Sequence, residues 1–215
     1  MILSILLLLQ SPFQVALDAA PPGATIIAAD YQPLVKRGIH VLKPVTIIGG
    51  VFAPAEPCGR SVQSLDGSEP EQLALTVYDQ DLSARADQVR LVGSWVFGPL
   101  DVRFDRLVLD GCRVYGDVRV HAGSLSVDLL GTLVIADQRA EQVPRAAVGA
   151  VGCTVSMAGS FVRGGRSDQC PSDGAPGVRC QTIVVVTGTR ARGGLGRCGG
   201  QDGKPWEAAT IVTVQ

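Results

Sequence analysis

Six times along this chain the same short pattern returns: an apolar residue, any residue, glycine, a small residue, any residue, and again an apolar one. The copies are Ile47-Ile48-Gly49-Gly50-Val51-Phe52, Leu91-Val92-Gly93-Ser94-Trp95-Val96, Leu109-Asp110-Gly111-Cys112-Arg113-Val114, Leu129-Leu130-Gly131-Thr132-Leu133-Val134, Met157-Ala158-Gly159-Ser160-Phe161-Val162 and Val186-Thr187-Gly188-Thr189-Arg190-Ala191. Four copies close again on glycine, at Gly98, Gly116, Gly164 and Gly193. Period-two alternation runs into them, as in Val89-x-Leu91, Leu107-x-Leu109, Leu125-x-Val127-x-Leu129 and Val155-x-Met157, and marks half-buried strands. From Gly93 onward the glycine anchors are 18, 20, 28 and 29 residues apart, so loops lengthen while the strand pair is kept. A solenoid permits this, because each repeat touches only its neighbours.

The glycine has a mechanical role in such a coil. Lacking Cβ, it takes the left-handed or bulged conformation of a sharp corner between short strands. The following positions, Gly50, Ser94, Cys112, Thr132, Ser160 and Thr189, would then stack as a column at about the 4.8 Å strand spacing. The reading is an all-β chain, a single-stranded parallel β-solenoid of about six to eight rungs, with strands within 45–52, 89–97, 107–115, 125–135, 153–163 and 182–192. Leu73-x-Leu75-x-Val77 and Thr210-Ile211-Val212-Thr213-Val214 mark further rungs. A β-sandwich with glycine-bearing turns is the competing architecture, but it does not require one repeated sub-pattern. Helix is expected to be nearly absent, since Gly and Pro interrupt every stretch.

Composition agrees. Aromatics are only 5%, against 26 glycines and 13 prolines, which suits tight turns and small stacked side chains. With 46% hydrophobic and 18% charged residues the chain is too apolar for disorder. A net charge of -1 with no Lys/Arg run implies no nucleic-acid partner. Residues 1–22 read as an apolar N-terminal capping or docking segment ahead of a β-helix domain over 23–215, with loop insertions at about 53–72, 136–150, 164–180 and 193–208. Met1 to Leu9 is too short to span a membrane and lacks the basic n-region of a secretory signal, so no membrane span is expected.

The stretch Ala16-Leu17-Asp18-Ala19-Ala20-Pro21-Pro22-Gly23-Ala24-Thr25-Ile26-Ile27, then Tyr31, then Val45-Thr46-Ile47-Ile48-Gly49-Gly50, resembles the opening of pectate-lyase-like right-handed β-helices. Wording carries the resemblance over the first fifty residues and rhythm alone carries it beyond. It implies a right-handed coil. It leaves function open, because the superfamily includes polysaccharide lyases and hydrolases, phage tailspikes and fibres, and bacterial surface adhesins.

Catalytic chemistry on such a coil would need two or three carboxylates brought together on adjacent rungs, roughly 5 to 9.5 Å apart. The densest acidic stretch is Asp101, Asp105, Asp110 and Asp117, with Arg103 and Arg106 among them. Asp105, Asp110 and Asp117 are the catalytic candidates under an enzyme reading; as solvated surface residues they carry no chemistry. His40 and His121 stand in unlike contexts and make no metal set, and no cofactor motif is present. Of the six cysteines, Cys112 falls on the small-residue column and Cys153 in a strand, where thiols pack as small hydrophobes. Cys58 has no assigned role. Cys170, Cys180 and Cys198 lie in the two long loops, which repeat one another: Gly164-Gly165…Cys170…Asp173-Gly174 against Gly193-Gly194…Cys198…Asp202-Gly203. The loop offset places Cys170 and Cys198 as stacked neighbours, within reach of a disulfide; Cys170 with Cys180 is the second pairing, and free thiols are expected if the chain folds in a reducing compartment.

The functional expectation is a non-enzymatic structural protein of a larger assembly, a phage virion component such as a head decoration, fibre or spike protein. It would be homo-oligomeric or docked on a virion shell or tail. The alternative is a secreted or cell-surface carbohydrate-active or carbohydrate-binding β-helix, with a surface glycan as partner. Open apolar ends without an amphipathic capping helix favour the first. The interface candidates are Met1, Ile2, Leu3, Ile5, Leu6, Trp206, Ile211, Val212 and Val214.

Overall fold

The computed structural model describes residues 12–28, 39–52, 75–78, 88–120, 126–136, 144–166 and 170–215, with the backbone alone at 39–40, 75–78 and 101–103. Among the described residues one helix, α1 (Pro12–Ala19), precedes the strands β1 (Ala24–Ile27), β2 (Ile39–Val41), β3 (Val45–Ile48), β4 (Val51–Phe52), β5 (Leu75–Tyr78), β6 (Gln88–Val92), β7 (Trp95–Phe97), β8 (Leu100–Arg103) and β9 (Arg106–Asp110). There follow β10 (Arg113–Tyr115), β11 (Val118–Val120), β12 (Ser126–Leu130), β13 (Leu133–Ile135), β14 (Val148–Ala158), β15 (Phe161–Arg163), β16 (Val178–Val186), β17 (Arg190–Arg192) and β18 (Trp206–Val214).

Every pairing between these strands is parallel. They form a 12-stranded and a 6-stranded sheet. The chain visits three ladders in a fixed order. The first runs β1-β3-β6-β9-β12 and on through the C-terminal halves of β14, β16 and β18. The second is the six-stranded sheet, β4-β7-β10-β13-β15-β17. The third runs β2-β5-β8-β11 and on through the N-terminal halves of β14, β16 and β18. β14, β16 and β18 each span a third-ladder and a first-ladder strand, which is why those two ladders count as one sheet.

All six segments expected to hold strands do so. The third ladder carries no such expectation beyond Leu75 and Val77, because strands as short as Val118–Val120 leave hardly one period of alternation. Its strands also shorten the insertions: Val148–Ala150, Val178–Cys180 and Trp206–Ala208, expected in loops, are ladder residues. Segment 53–72 lies outside the described residues.

Period two places apolar side chains in columns inside each ladder. In the first, Ile26, Ile47, Leu91, Leu109, Leu129, Met157 and Val185 are in register from strand to strand. In the second the middle residue of each strand points inward: Phe52, Val96, Val114, Val134 and Val162 are buried. Leu100, Val118, Val148 and Val178 line the third, each fully buried. Each such side chain contributes roughly 1.5–3 kcal/mol relative to exposure, so this continuous core stabilises the stack far more than its thin hydrogen-bonded edges.

The corner between the first two ladders is the repeated glycine. Gly49, Gly93, Gly111, Gly131, Gly159 and Gly188 all have positive φ, between 53° and 82°, a region that costs other residues about 1–2 kcal/mol. The small residues after them form a buried hydrogen-bonded column. Ser94 Oγ donates to Gly49 O at 2.7 Å, the Cys112 thiol to Leu91 O at 3.2 Å, Thr132 Oγ1 to Leu109 O at 2.8 Å, Ser160 Oγ to Leu129 O at 3.0 Å and Thr189 Oγ1 to Met157 O at 3.0 Å. Each hydroxyl or thiol reaches a carbonyl of the preceding repeat and so ties repeat to repeat.

The N-terminal end corrects the expectation of no amphipathic capping helix. In α1, Phe13 and Leu17 are buried, and the Phe13 ring lies 5.6 Å from that of Phe52. Pro12 opens the helix, where a missing N–H costs nothing. At its other end Lys43 Nζ donates to Asp18 O and Ala20 O, satisfying carbonyls the helix leaves unpaired. No helix among the described residues is long and apolar enough to cross a membrane.

Candidate functional site

The three candidate carboxylates lie at different strand ends of one repeat: Asp105 before β9, Asp110 at its end, and Asp117 between β10 and β11. In the first ladder the positions in register with Asp110 are Val92 and Leu130, so no carboxylate stacks on it. Asp110 pairs with Arg90. The Asp117 carboxylate is only 8% exposed and binds Arg119 Nε at 2.5 Å, with Arg145 at 3.8 Å. Asp105 is half-buried, and its carbonyl accepts the Ser126 N–H at 2.9 Å. The ladders therefore distribute these acids and pair two of them with arginine. The side chains of Asp101, Arg103 and His40, and all of His121, lie outside the described residues, as does Cys58. Among the described residues no group of three metal-ligating side chains converges.

Cys170 and Cys198 form a disulfide, with Cα atoms 5.4 Å apart. Cys112, Cys153 and Cys180 are buried thiols outside this disulfide. Burial pushes all three thiols up, Cys180 to about 11, so they are neutral and poorly nucleophilic near pH 7. Cys180 belongs to a strand, in register with Ala150 and Ala208, which removes it from the loop that holds Cys170.

The long segments around this disulfide expose Cys170, Asp173, Cys198 and Asp202 and bury Ala175 and Gly194. They form a glycine-packed layer. Gly174 N–H donates to Gln201 O, Gly194 N–H to Ala175 O and Gly203 N–H to Gly194 O. A Cβ on Gly174 would lie 1.8 Å from Gly194 O, and one on Gly194 the same distance from Gly165 O. Asp173 and Asp202 hold the layer by accepting backbone N–H groups of Gln201 and Gly196, each at 2.8 Å.

Of the interface candidates, Met1, Ile2, Leu3, Ile5 and Leu6 lie outside the described residues. Trp206 is the first residue of β18, in register with Val178, and packs against the core. Ile211, Val212 and Val214 are exposed on the same strand.

The most distinctive surface is the outer face of the six-stranded sheet, where no site was expected. The first and third residues of each short strand point outward: Val51, then Trp95 and Phe97, Arg113 and Tyr115, Leu133 and Ile135, Phe161 and Arg163, Arg190 and Arg192. No acidic residue is among them. Trp95 is 39% exposed, with the Arg113 guanidinium 4.7 Å from its ring centroid. Phe97 and Tyr115 stack at 5.1 Å along the ladder. Aromatic and aliphatic residues occupy most of the face, and arginines gather at β15 and β17. Aligning the six copies would have shown this, since these residues flank the inward apolar position of each.

Comparison with known protein families, with curated proteins and with solved structures finds no match. The function argued below therefore rests on this geometry.

Proposed function

We propose that the chain is a right-handed parallel β-helix with three strands to a coil, acting as a non-enzymatic structural protein of a larger assembly. A phage virion component, as head decoration, fibre or spike, is the form this takes. The three ladders visited in fixed order support a closed coil, and the strong preference of parallel strand connections for one hand supports a right-handed one. The observation that carries the functional reading is the outer face of the six-stranded sheet. Outward sheet positions in contact with water alone are normally polar, and contiguous apolar patches mark contact surfaces. Here Val51, Trp95, Phe97, Leu133, Ile135 and Phe161 all face outward on short strands backed by a packed core. Rigid backing and large ring surfaces suit a docking surface, because few side chains need ordering on contact.

A second reading, a secreted glycan-binding β-helix, draws on the arginines of the same face and on the disulfide, since disulfides persist in oxidising compartments. Light scattering on the wild-type protein and on a Trp95→Ser, Leu133→Ser, Phe161→Ser variant tests the first reading. Loss of an oligomer at little-changed melting temperature supports it. A protein that stays monomeric and releases oligosaccharide from an acidic glycan, with release abolished by Asp105→Asn, Asp110→Asn and Asp117→Asn together, overturns it in favour of a polysaccharide lyase or hydrolase.

A further inference from the structure

The arginine end of the six-stranded sheet differs from every other cationic position with a described carboxylate partner. Arg90, Arg106, Arg119 and Arg179 are paired with Asp110, Asp128, Asp117 and Glu207. Arg163, Arg190 and Arg192 pair with no carboxylate among the described residues, although they are crowded together. Arg163 and Arg192 are directly in register on neighbouring strands, about 4.8 Å apart. Arg190 lies two residues before Arg192 on the same face, about 6.6 Å along the strand. Like charges placed opposite one another on a sheet are destabilising, and a chain with net charge -1 has acids that could have been set here.

Among the described residues the surroundings offer no compensation. In register with Arg190 is Phe161, and with Arg163 is Ile135. The corner entering these strands is Gly159-Ser160 and Gly188-Thr189, and the corner leaving them is Gly164-Gly165 and Gly193-Gly194. The next described acids along the chain, Asp173 and Asp202, are engaged with backbone N–H groups. Arg190 and Arg192 are exposed and Arg163 is half-buried. The Nε–H of Arg163 is covered and finds no hydrogen-bond partner, a costly state unless an acceptor arrives.

We infer that Arg163, Arg190 and Arg192 form a binding site for a tetrahedral oxyanion, sulfate or phosphate, free or carried as an ester on a glycan. Guanidinium forks donate paired N–H groups to oxyanion oxygens. Three of them on two adjacent strands can address several oxygens of one group, which a single carboxylate or a halide cannot match. The flat apolar continuation of the face through Phe161, Leu133 and Ile135 leaves room for the body of an ester-bearing chain. The site does not depend on the assembly reading, since it needs only the register of β15 and β17.

Isothermal titration with sodium sulfate, sodium phosphate and a sulfated oligosaccharide, against sodium chloride at matched ionic strength, tests it. Saturable binding of sulfate and phosphate is expected, weakened about ten-fold or more in Arg192→Gln, as loss of one charged hydrogen bond implies. Arg163→Lys, which keeps the charge and loses the fork, should also bind more weakly. Arg90→Gln, whose guanidinium already pairs with Asp110, should bind as wild type. Oligosaccharide binding tighter than that of inorganic sulfate, through the same arginines, assigns the ester as the source; equal affinity assigns the free ion. A chloride response equal to that of sulfate, or full sulfate affinity in both Arg192→Gln and Arg163→Lys with unchanged melting curves, would overturn the site.

Discussion

Glycine serves two opposite purposes in the two halves of this molecule. At the repeated corners Gly93, Gly111, Gly131 and Gly159 have positive φ, and a Cβ there would meet nothing within 4 Å. In the layer formed by residues 164–166, 170–177 and 193–205, Gly174 and Gly194 carry no positive φ, yet a Cβ would lie 1.8 Å from a neighbouring carbonyl oxygen. The corner glycines are required by conformation and have space to spare. Gly174 and Gly194 are required by space and have ordinary conformations. The corners at Gly93, Gly111, Gly131 and Gly159 leave room for a side chain so long as the backbone can turn, whereas Gly174 and Gly194 leave room for no added atom.

The contrast predicts a ranked series of effects, readable as changes in unfolding free energy and in hydrogen-exchange protection. The largest should come from Gly194→Ala or Gly174→Ala, about 4 kcal/mol, because overpacking against backbone has no rotamer to relieve it. An effect below 1 kcal/mol would mean that the layer is looser than its hydrogen bonds indicate. Next, replacing Cys170 and Cys198 together by serine should cost about 3 kcal/mol through the freed 28-residue span. Protection should fall first over 164–166, 170–177 and 193–205, leaving Val127 and Leu129 unaffected. Thr132→Val, which keeps shape and removes the hydroxyl, should cost about 2 kcal/mol by stranding Leu109 O and the Cys112 N–H in the buried column. That loss should centre on the stacked ladders and spare the layer.

Gly111→Ala should cost only about 1–2 kcal/mol, the left-handed penalty alone, and Gly111→Asn less still, since asparagine tolerates that region. Asparagine at 194 should rescue nothing, which separates conformation from space in a single pair of measurements. Smallest of all should be Asp110→Asn, at about 0.5 kcal/mol or less, because its ion pair with Arg90 is solvent-accessible on both sides.

The first two ladders and their corners were legible in the residues themselves. Alternation such as Val155-x-Met157, a glycine two positions on and a small residue after it each answer to a local requirement: one face buried, one left-handed residue, one narrow column. Local requirements leave marks in every copy, and six copies make them readable. The outer arginines and aromatics were equally visible in the copies, but they acquire meaning only when the register sets Arg163 beside Arg192 and leaves both without an acid among the described residues. Neither residue is unusual on its own strand.

What the sequence alone determined, then, is where the chain turns and which side chains of the first two ladders face inward, because period and glycine conformation are properties of a few neighbouring residues. The tertiary structure decided the rest. The third ladder consists of strands too short to show a period, and they exist because Leu100, Val118, Val148 and Val178 meet across repeats. The choice of Cys198 over Cys180 as the partner of Cys170 followed from Cys180 entering a strand, while Ser172 and Arg197 exchange backbone hydrogen bonds beside the disulfide. The glycine layer was decided in the same way, since a residue's need for an absent Cβ is written in the carbonyl that comes to lie against it and not in the residue itself.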